Sequence, residues 1–115
     1  EYDFSTGFCV AGEDAAAFLE KALAGLGLTE KEANEFIIYW LPKLEANPYN
    51  LISFQGETYT DSAALTIDPV PDTLIRVFMA WKGLEEPVEV EPQTLTAPAR
   101  SGFTAVEWGG AEVVS

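Results

Sequence analysis

After the helical stripes the hydrophobic period changes near Tyr49, and that change limits the folds open to this chain. Ahead of Tyr49 apolar residues recur mainly every three or four positions; beyond it they fall in short runs broken by proline and glycine. A period of about 3.6 residues lays an apolar stripe along a helix, whereas short runs and alternation serve strands. The first stripe is Ala15, Phe18, Leu19, Ala22, Leu23 and Leu26, opened by Gly12-Glu13-Asp14 and ended by Gly25 and Gly27. Its two leading carboxylates suit the positive end of a helix dipole. The second stripe is Ala33, Phe36, Ile37, Trp40, Leu41 and Leu44. Thr29-Glu30-Lys31-Glu32 before it fits a capping box, in which the Thr29 hydroxyl accepts from a free amide and Glu32 reaches back to the cap. Pro42 has no amide hydrogen and crowds the preceding turn, so a kink or an early stop near Tyr39 is expected, with Asn47-Pro48 closing the element.

Strands are expected on both sides of these helices. Tyr2 to Ala11 reads as an entering strand, Leu51-Ile52-Ser53-Phe54 as a short one, and Ala63 to Ile67 as another after a turn-rich Gly56 to Ser62. Asp68-Pro69-Val70-Pro71-Asp72 cannot join a central ladder, because its prolines lack the donor. Thr73 to Trp81 places Ile75, Val77, Met79 and Trp81 on one face and Leu74, Phe78 and Ala80 on the other, a pattern for a strand covered on both sides. Lys82 to Pro87 reads as a turn, Val88 to Glu91 as a half-exposed strand and Pro92 to Ala99 as a connector. Gly102 to Trp108 reads as a last strand, punctuated by Gly109-Gly110. The expected class is α+β: two N-terminal helices packed on a mainly antiparallel sheet of about four to five strands. Residues 1–115 suit a single domain, long enough to build a core without disulfides or metals.

Six Lys and Arg against nineteen Asp and Glu leave a net charge of −13. Nucleic-acid binding draws its affinity from neutralising phosphates, so no nucleic-acid partner is expected, and anionic membrane surfaces are repelled as well. Cationic partners, calcium and plain solubility are all compatible with such a charge. No apolar run approaches the roughly 20 residues that span a bilayer, so this segment is not expected to insert in a membrane. Cys9 is the sole cysteine, rules out a disulfide within the chain, and reads as a small buried hydrophobe. The start at Glu1 without Met leads us to expect a piece of a longer protein.

The chain has no histidine, which removes Ser–His and Cys–His pairs, imidazole ligands and imidazole acid–base chemistry. It has no phosphate-cradling glycine loop either. Carboxylate pairs remain, but among nineteen acids chance pairs are unavoidable, and glycosidase work needs two of them across a cleft. No catalytic residue, cofactor or metal site is therefore nominated, and the expectation is a chain that is not an enzyme. Asp61, Asp68 and Asp72 offer loop oxygens for calcium, yet their spacing matches no EF-hand and capping of turns is the simpler role. Arg76 interrupts the most β-like stretch, and Glu107 holds a similar place in the last strand, so the two form a candidate structural ion pair. Trp40 belongs to a helical core stripe, whereas Trp81 and Trp108 end strands and Tyr49 and Tyr59 lie in connectors. Those four aromatics are the candidate ligand-binding residues, since exposed rings stack on sugar faces or cover a partner; the alternative is the rim of a core.

Several stretches carry a likeness: Tyr2 to Val10 (YDFSTGFCV), Glu32 to Pro42 (EANEFIIYWLP), Asn47 to Phe54 (NPYNLISF), Pro71 to Met79 (PDTLIRVFM), and Gly102-Phe103 through Glu107-Trp108-Gly109-Gly110. Together they cover nearly the whole chain, and it resembles a poorly characterised domain of secreted or lipid-anchored surface proteins of Gram-positive gut bacteria. The resemblance implies an extracellular or cell-surface location and a longer secreted parent protein, and it brings no catalytic residues. The expected function is a non-catalytic module of a bacterial extracellular protein, binding a protein or glycan or serving as a spacer. The alternative is a small acidic inhibitor or immunity-type protein that neutralises a basic partner, which would gather its acids on one face.

The Arg76–Glu107 pairing is testable before any function is known. Arg76→Glu and Glu107→Arg are each expected to lower stability to urea, and the double exchange to recover part of the loss. A double variant no more stable than the weaker single one would remove the pairing.

Overall fold

The computed structural model describes residues 4–55, 73–97, 102 and 104–113. Both apolar stripes form helices, α1 at Ala15–Gly25, after a 3₁₀ turn at Gly12–Asp14, and α2 at Glu30–Glu45. α1 ends in a Schellman turn: the Leu28 amide donates to the Leu23 carbonyl at 3.1 Å and the Gly27 amide to Ala24 at 3.0 Å. Gly27 takes a φ of 99°, which side chains disfavour. α2 opens with its capping box complete, the Glu32 amide donating to Thr29 Oγ1 at 3.2 Å and the Thr29 amide to Glu32 Oε1 at 2.8 Å. The early stop expected near Tyr39 does not occur, because α2 runs through Pro42 to Glu45. Pro42 lies on the exposed face, and the carbonyl it deprives of a donor belongs to Ile38, which is 75% exposed. The helix continues past the lost bond because the fully buried Leu44 anchors its last turn in the core.

The strands are β1 (Thr6–Ala11), β2 (Tyr49–Phe54), β3 (Thr73–Leu84), β4 (Glu91–Pro92) and β5 (Thr104–Glu112), in the sheet order β4-β1-β2-β3-β5. The α+β class holds, with two corrections. Both helices lie between β1 and β2 in the chain, not ahead of the sheet. The sheet is mixed: β1–β2 and β2–β3 are antiparallel, β1–β4 and β3–β5 parallel. After β3 the chain crosses to the β1 edge and returns to the β3 edge, so β5 enters from the same end as β3 and must run alongside it. Hydrophobic pattern carries no strand direction, which is why it could not show this.

Further differences concern element ends. The expected turn after Lys82 begins later, because β3 continues to Leu84 opposite Tyr49. Val88 to Glu91 is not a strand; Val88 and Glu89 are both exposed, so their alternation has no face to bury, and only Glu91–Pro92 pairs. Gly109-Gly110 lies inside β5 instead of ending it. The strand expected at Ala63 to Ile67 and the loop at Asp68 to Asp72 lie outside the described residues.

Register sorts the side chains onto two faces. Val10, Ile52, Phe54, Ile75, Val77, Met79 and Trp81 meet Leu19, Leu23, Phe36, Ile37, Trp40 and Leu44 of the helices in one core. Each such side chain, fully buried, contributes about 1.5–3 kcal/mol, far more than a single surface contact. Phe78 and Ala80 are also buried, on the opposite face of β3, as its two-sided apolar pattern implies.

One polar group sits within the helix-facing side. Asn50 is fully buried, lies opposite Val10 and Gly83 on the neighbouring strands, and its Nδ2 donates to the Leu44 carbonyl at 2.9 Å. Asn47 Nδ2 donates to Asn50 Oδ1 at 2.9 Å, and the Gly12 amide donates to the Pro48 carbonyl at 3.0 Å. A helix leaves its last carbonyls without donors, and here a strand residue supplies one. Asn50→Ala is expected to lower the unfolding free energy by about 0.5–1.5 kcal/mol in urea titration, since it removes two hydrogen bonds while the Leu44 carbonyl keeps the Asn47 amide at 3.2 Å. A variant as stable as the parent would show that these bonds do not hold α2 to the sheet.

Candidate functional site

The outer surface of α2 where it meets the edge strand β5 gathers the exposed aromatic character of the described residues. α2 lies over the β3–β5 side of the sheet. The Phe36 ring is 5.3 Å from Trp108 in an edge arrangement, and the Trp40 ring lies over Gly110. A Cβ at Gly110 would stand 2.7 Å from both the Met79 carbonyl oxygen and Trp40 Cζ2, so the strand needs glycine for this approach. That explains why Gly110 lies within β5 instead of breaking it, whereas a Cβ at Gly109 would meet only ordinary contact with the Phe78 ring at 3.7 Å.

Tyr39 completes the surface. It is 54% exposed, its ring centre lies 4.8 Å from Trp40 and 5.7 Å from the half-buried Trp108, and Lys43 Nζ sits 5.4 Å above it as a cation–π contact. Ile38 beside it is 75% exposed. Trp40 in turn packs on Trp81 at 6.4 Å, so an aromatic chain runs from solvent at Tyr39 to the centre of the core. The indole N–H groups of Trp40 and Trp81 are buried without an acceptor among the described residues. That costs about 1–3 kcal/mol each. Burying a ring of about 150–250 Å² returns roughly 4–6 kcal/mol at 25 cal/mol per Å², so packing prevails.

Of the four aromatics singled out in the sequence, the three within the described residues do not come together. Trp108 belongs to the surface just described. Trp81 is 2% exposed and lies beneath Trp40, so it has no ring face to present. Tyr49 is half-buried opposite Ala11 and Leu84, on the side of the sheet away from the helices. Tyr59, with Asp61, Asp68 and Asp72, lies outside the described residues. Ile38 and Tyr39 were not singled out; their signal is that an apolar pair stands off the Ala33, Phe36, Ile37, Trp40 and Leu44 stripe that α2 buries.

Arg76 and Glu107 are direct neighbours in the parallel β3–β5 register, with Arg76 Nε 3.6 Å from Glu107 Oε1. The Arg76 side chain is 9% exposed and that of Glu107 36%, so water screens one end of the pair. On the face away from the helices, the pair ties the edge strand to the sheet. Cys9 is half-buried on that same face, with the Val88 amide 3.5 Å from its Sγ. Among the described residues no three His, Cys, Asp or Glu side chains converge as a metal-binding group, and no helix is long and apolar enough to cross a membrane.

Gly110→Ala is expected to cost about 1–3 kcal/mol by overpacking and to change the near-ultraviolet circular dichroism of the tryptophans as Trp40 is pushed aside. Unchanged stability and an unchanged spectrum together would mean that Trp40 does not rest on β5. Compared with family models, curated proteins and solved structures, the chain matches none.

Proposed function

We propose that this domain is a non-catalytic binding module of a bacterial extracellular or cell-surface protein, and that its ligand docks on the α2–β5 surface. The observation that carries the reading is the exposure of Ile38 and Tyr39 beside Trp108, on a helix whose other face is already buried. An apolar helix face left in water lowers solubility without helping the core, and aromatic side chains held by packing are the usual anchors of interfaces. Tyr39 is held by Trp40, Trp108 and Lys43, so little ordering is lost when a partner arrives. The extracellular placement rests on the resemblance of the sequence segments given above. The partner is a protein or a glycan; a charge of −13 argues against nucleic acid, and no cofactor enters the reading.

The acidic-inhibitor reading is less well supported. Exposed carboxylates occur on the helical side at Glu13, Asp14, Glu20, Glu30, Glu35 and Glu45. They also occur at Glu85, Glu86, Glu89 and Glu91, in the stretch whose Val88 reaches Cys9 on the other face of the sheet. Among the described residues that spread offers no single acidic face, so net charge alone does not mark an interface.

The test is a thermal-shift scan with calcium, EDTA, soluble glycans and candidate surface proteins, run in parallel on the parent and on Tyr39→Ala. A ligand of the folded state raises the melting temperature by mass action. The expected result is a rise in the parent that Tyr39→Ala loses, while the free variant melts within a few degrees of the parent. A rise that survives Tyr39→Ala would move the binding surface elsewhere.

A further inference from the structure

Along the outer face of α2, Glu35, Ile38, Pro42 and Glu45 follow at intervals of three, four and three residues, and all four are exposed. That spacing keeps them in one stripe on a helix. We infer that this stripe docks a cationic protein segment, one that presents an apolar side chain to Ile38 and Pro42 and basic residues to Glu35 and Glu45. The inference rests on the binding-module reading and names the class of partner.

Three features define the occupant. The centre of the stripe is aliphatic and dry-packing, with Tyr39 along its flank. Its two ends carry carboxylates about 15 Å apart, from ten residues at 1.5 Å each. Pro42 has no amide hydrogen to give the Ile38 carbonyl, so one backbone acceptor beside the apolar part lacks its usual helical donor. A segment with an apolar centre, Lys or Arg on either side and a free donor matches each of them. The net charge of −13 steers such a segment towards the domain from a distance, and the stripe decides where it settles.

Other occupants fit less well. A sugar wants a flat ring platform, but Tyr39 and Trp108 are tilted by 52° and Lys43 covers one face of Tyr39. A second copy packed by two-fold symmetry about Ile38 and Pro42 would set Glu35 of one chain against Glu45 of the other, between two bodies of charge −13. Two cations of α2 lie near: Lys43 is engaged over the Tyr39 ring beside the stripe, and Lys31 stands one turn before Glu35, outside the apolar centre.

The experiment is a backbone-amide NMR titration of the domain with a short helical peptide carrying leucines at helical spacing between lysines. The same peptide with glutamates for lysines serves as control. Chemical-shift changes are expected to concentrate on residues 35–45 and near Trp108. Ile38→Ser, at a site exposed enough to keep the fold, is expected to weaken the lysine peptide by about tenfold or more. The double variant Glu35→Gln/Glu45→Gln is expected to weaken it and flatten its salt dependence, while Glu20→Gln/Glu86→Gln, equally exposed, does neither. Shifts spread over the whole acidic surface and indifferent to Ile38→Ser would overturn the inference. Perturbation of the same residues by a soluble glycan or by raised protein concentration, in place of the peptide, would also overturn it and leave the binding surface standing. No response of Ile38, Tyr39 and Trp108 to peptide, glycan or concentration would remove both.

Discussion

The position of everything on the helical side depends on one buried amide. Asn50 stands on β2 among apolar neighbours and gives its hydrogen to the Leu44 carbonyl in the last turn of α2. A buried amide without partners is costly, so this contact favours the axial placement of the helix that brings Leu44 over Asn50. From Leu44, one turn back brings Trp40 onto Gly110, and a second brings Phe36 onto Trp108. Tyr39 and Ile38 are then carried outward at the edge of β5. The exposed surface is thus a consequence of how the buried end of the helix is held.

The other end of β2 shows a different solution to the same accounting of backbone groups. β1 leaves its partner after the Phe8–Ile52 pair, and its first residues turn instead to β4, with Thr6 opposite Glu91. Phe54 would lose its ladder bonds there. The Gln93 side chain replaces them: its Nε2 donates to the Phe54 carbonyl at 2.7 Å and its Oε1 accepts from the Phe54 amide at 2.9 Å. Ser53 Oγ donates to the Thr6 carbonyl at 2.9 Å. A primary amide has the donor and acceptor geometry of a peptide group, so a side chain can stand in for a strand. Beyond Gln93, Leu95 packs against the core, and its Cβ lies 3.9 Å from where a Cβ on Gly25 would stand at the end of α1.

Much of the secondary structure was legible because its signals are local. The capping box at Thr29 and Glu32 and the Schellman turn at Gly27 involve residues within five positions of each other. The apolar stripes of both helices and the two-sided pattern of β3 are equally local. The misreadings have a common physical origin. Intrinsic preference governs the expectations at Pro42, Gly109-Gly110 and Val88 to Glu91, and in each case the surroundings decide: the buried Leu44 beyond Pro42, the Trp40 ring on Gly110, and no sheet face for Val88. Of the surface, Trp108 was visible as an aromatic near a strand end, but Ile38 and Tyr39 were hidden behind the expectation that the helix would fail at Pro42.

By itself the sequence determined the two helices with their caps, the most β-like strand, the acidic charge and the lack of imidazole chemistry. Each of these follows from residue type or from spacings within a turn or two. Only the tertiary structure decided that the sheet is mixed, that the helices fall between its first two strands, and that Tyr39 meets Trp108 at its edge. Those outcomes depend on contacts between residues dozens of positions apart. They are settled by which arrangement buries the apolar faces while giving Asn50, Phe54 and the helix ends their hydrogen-bond partners, and no local pattern encodes that choice.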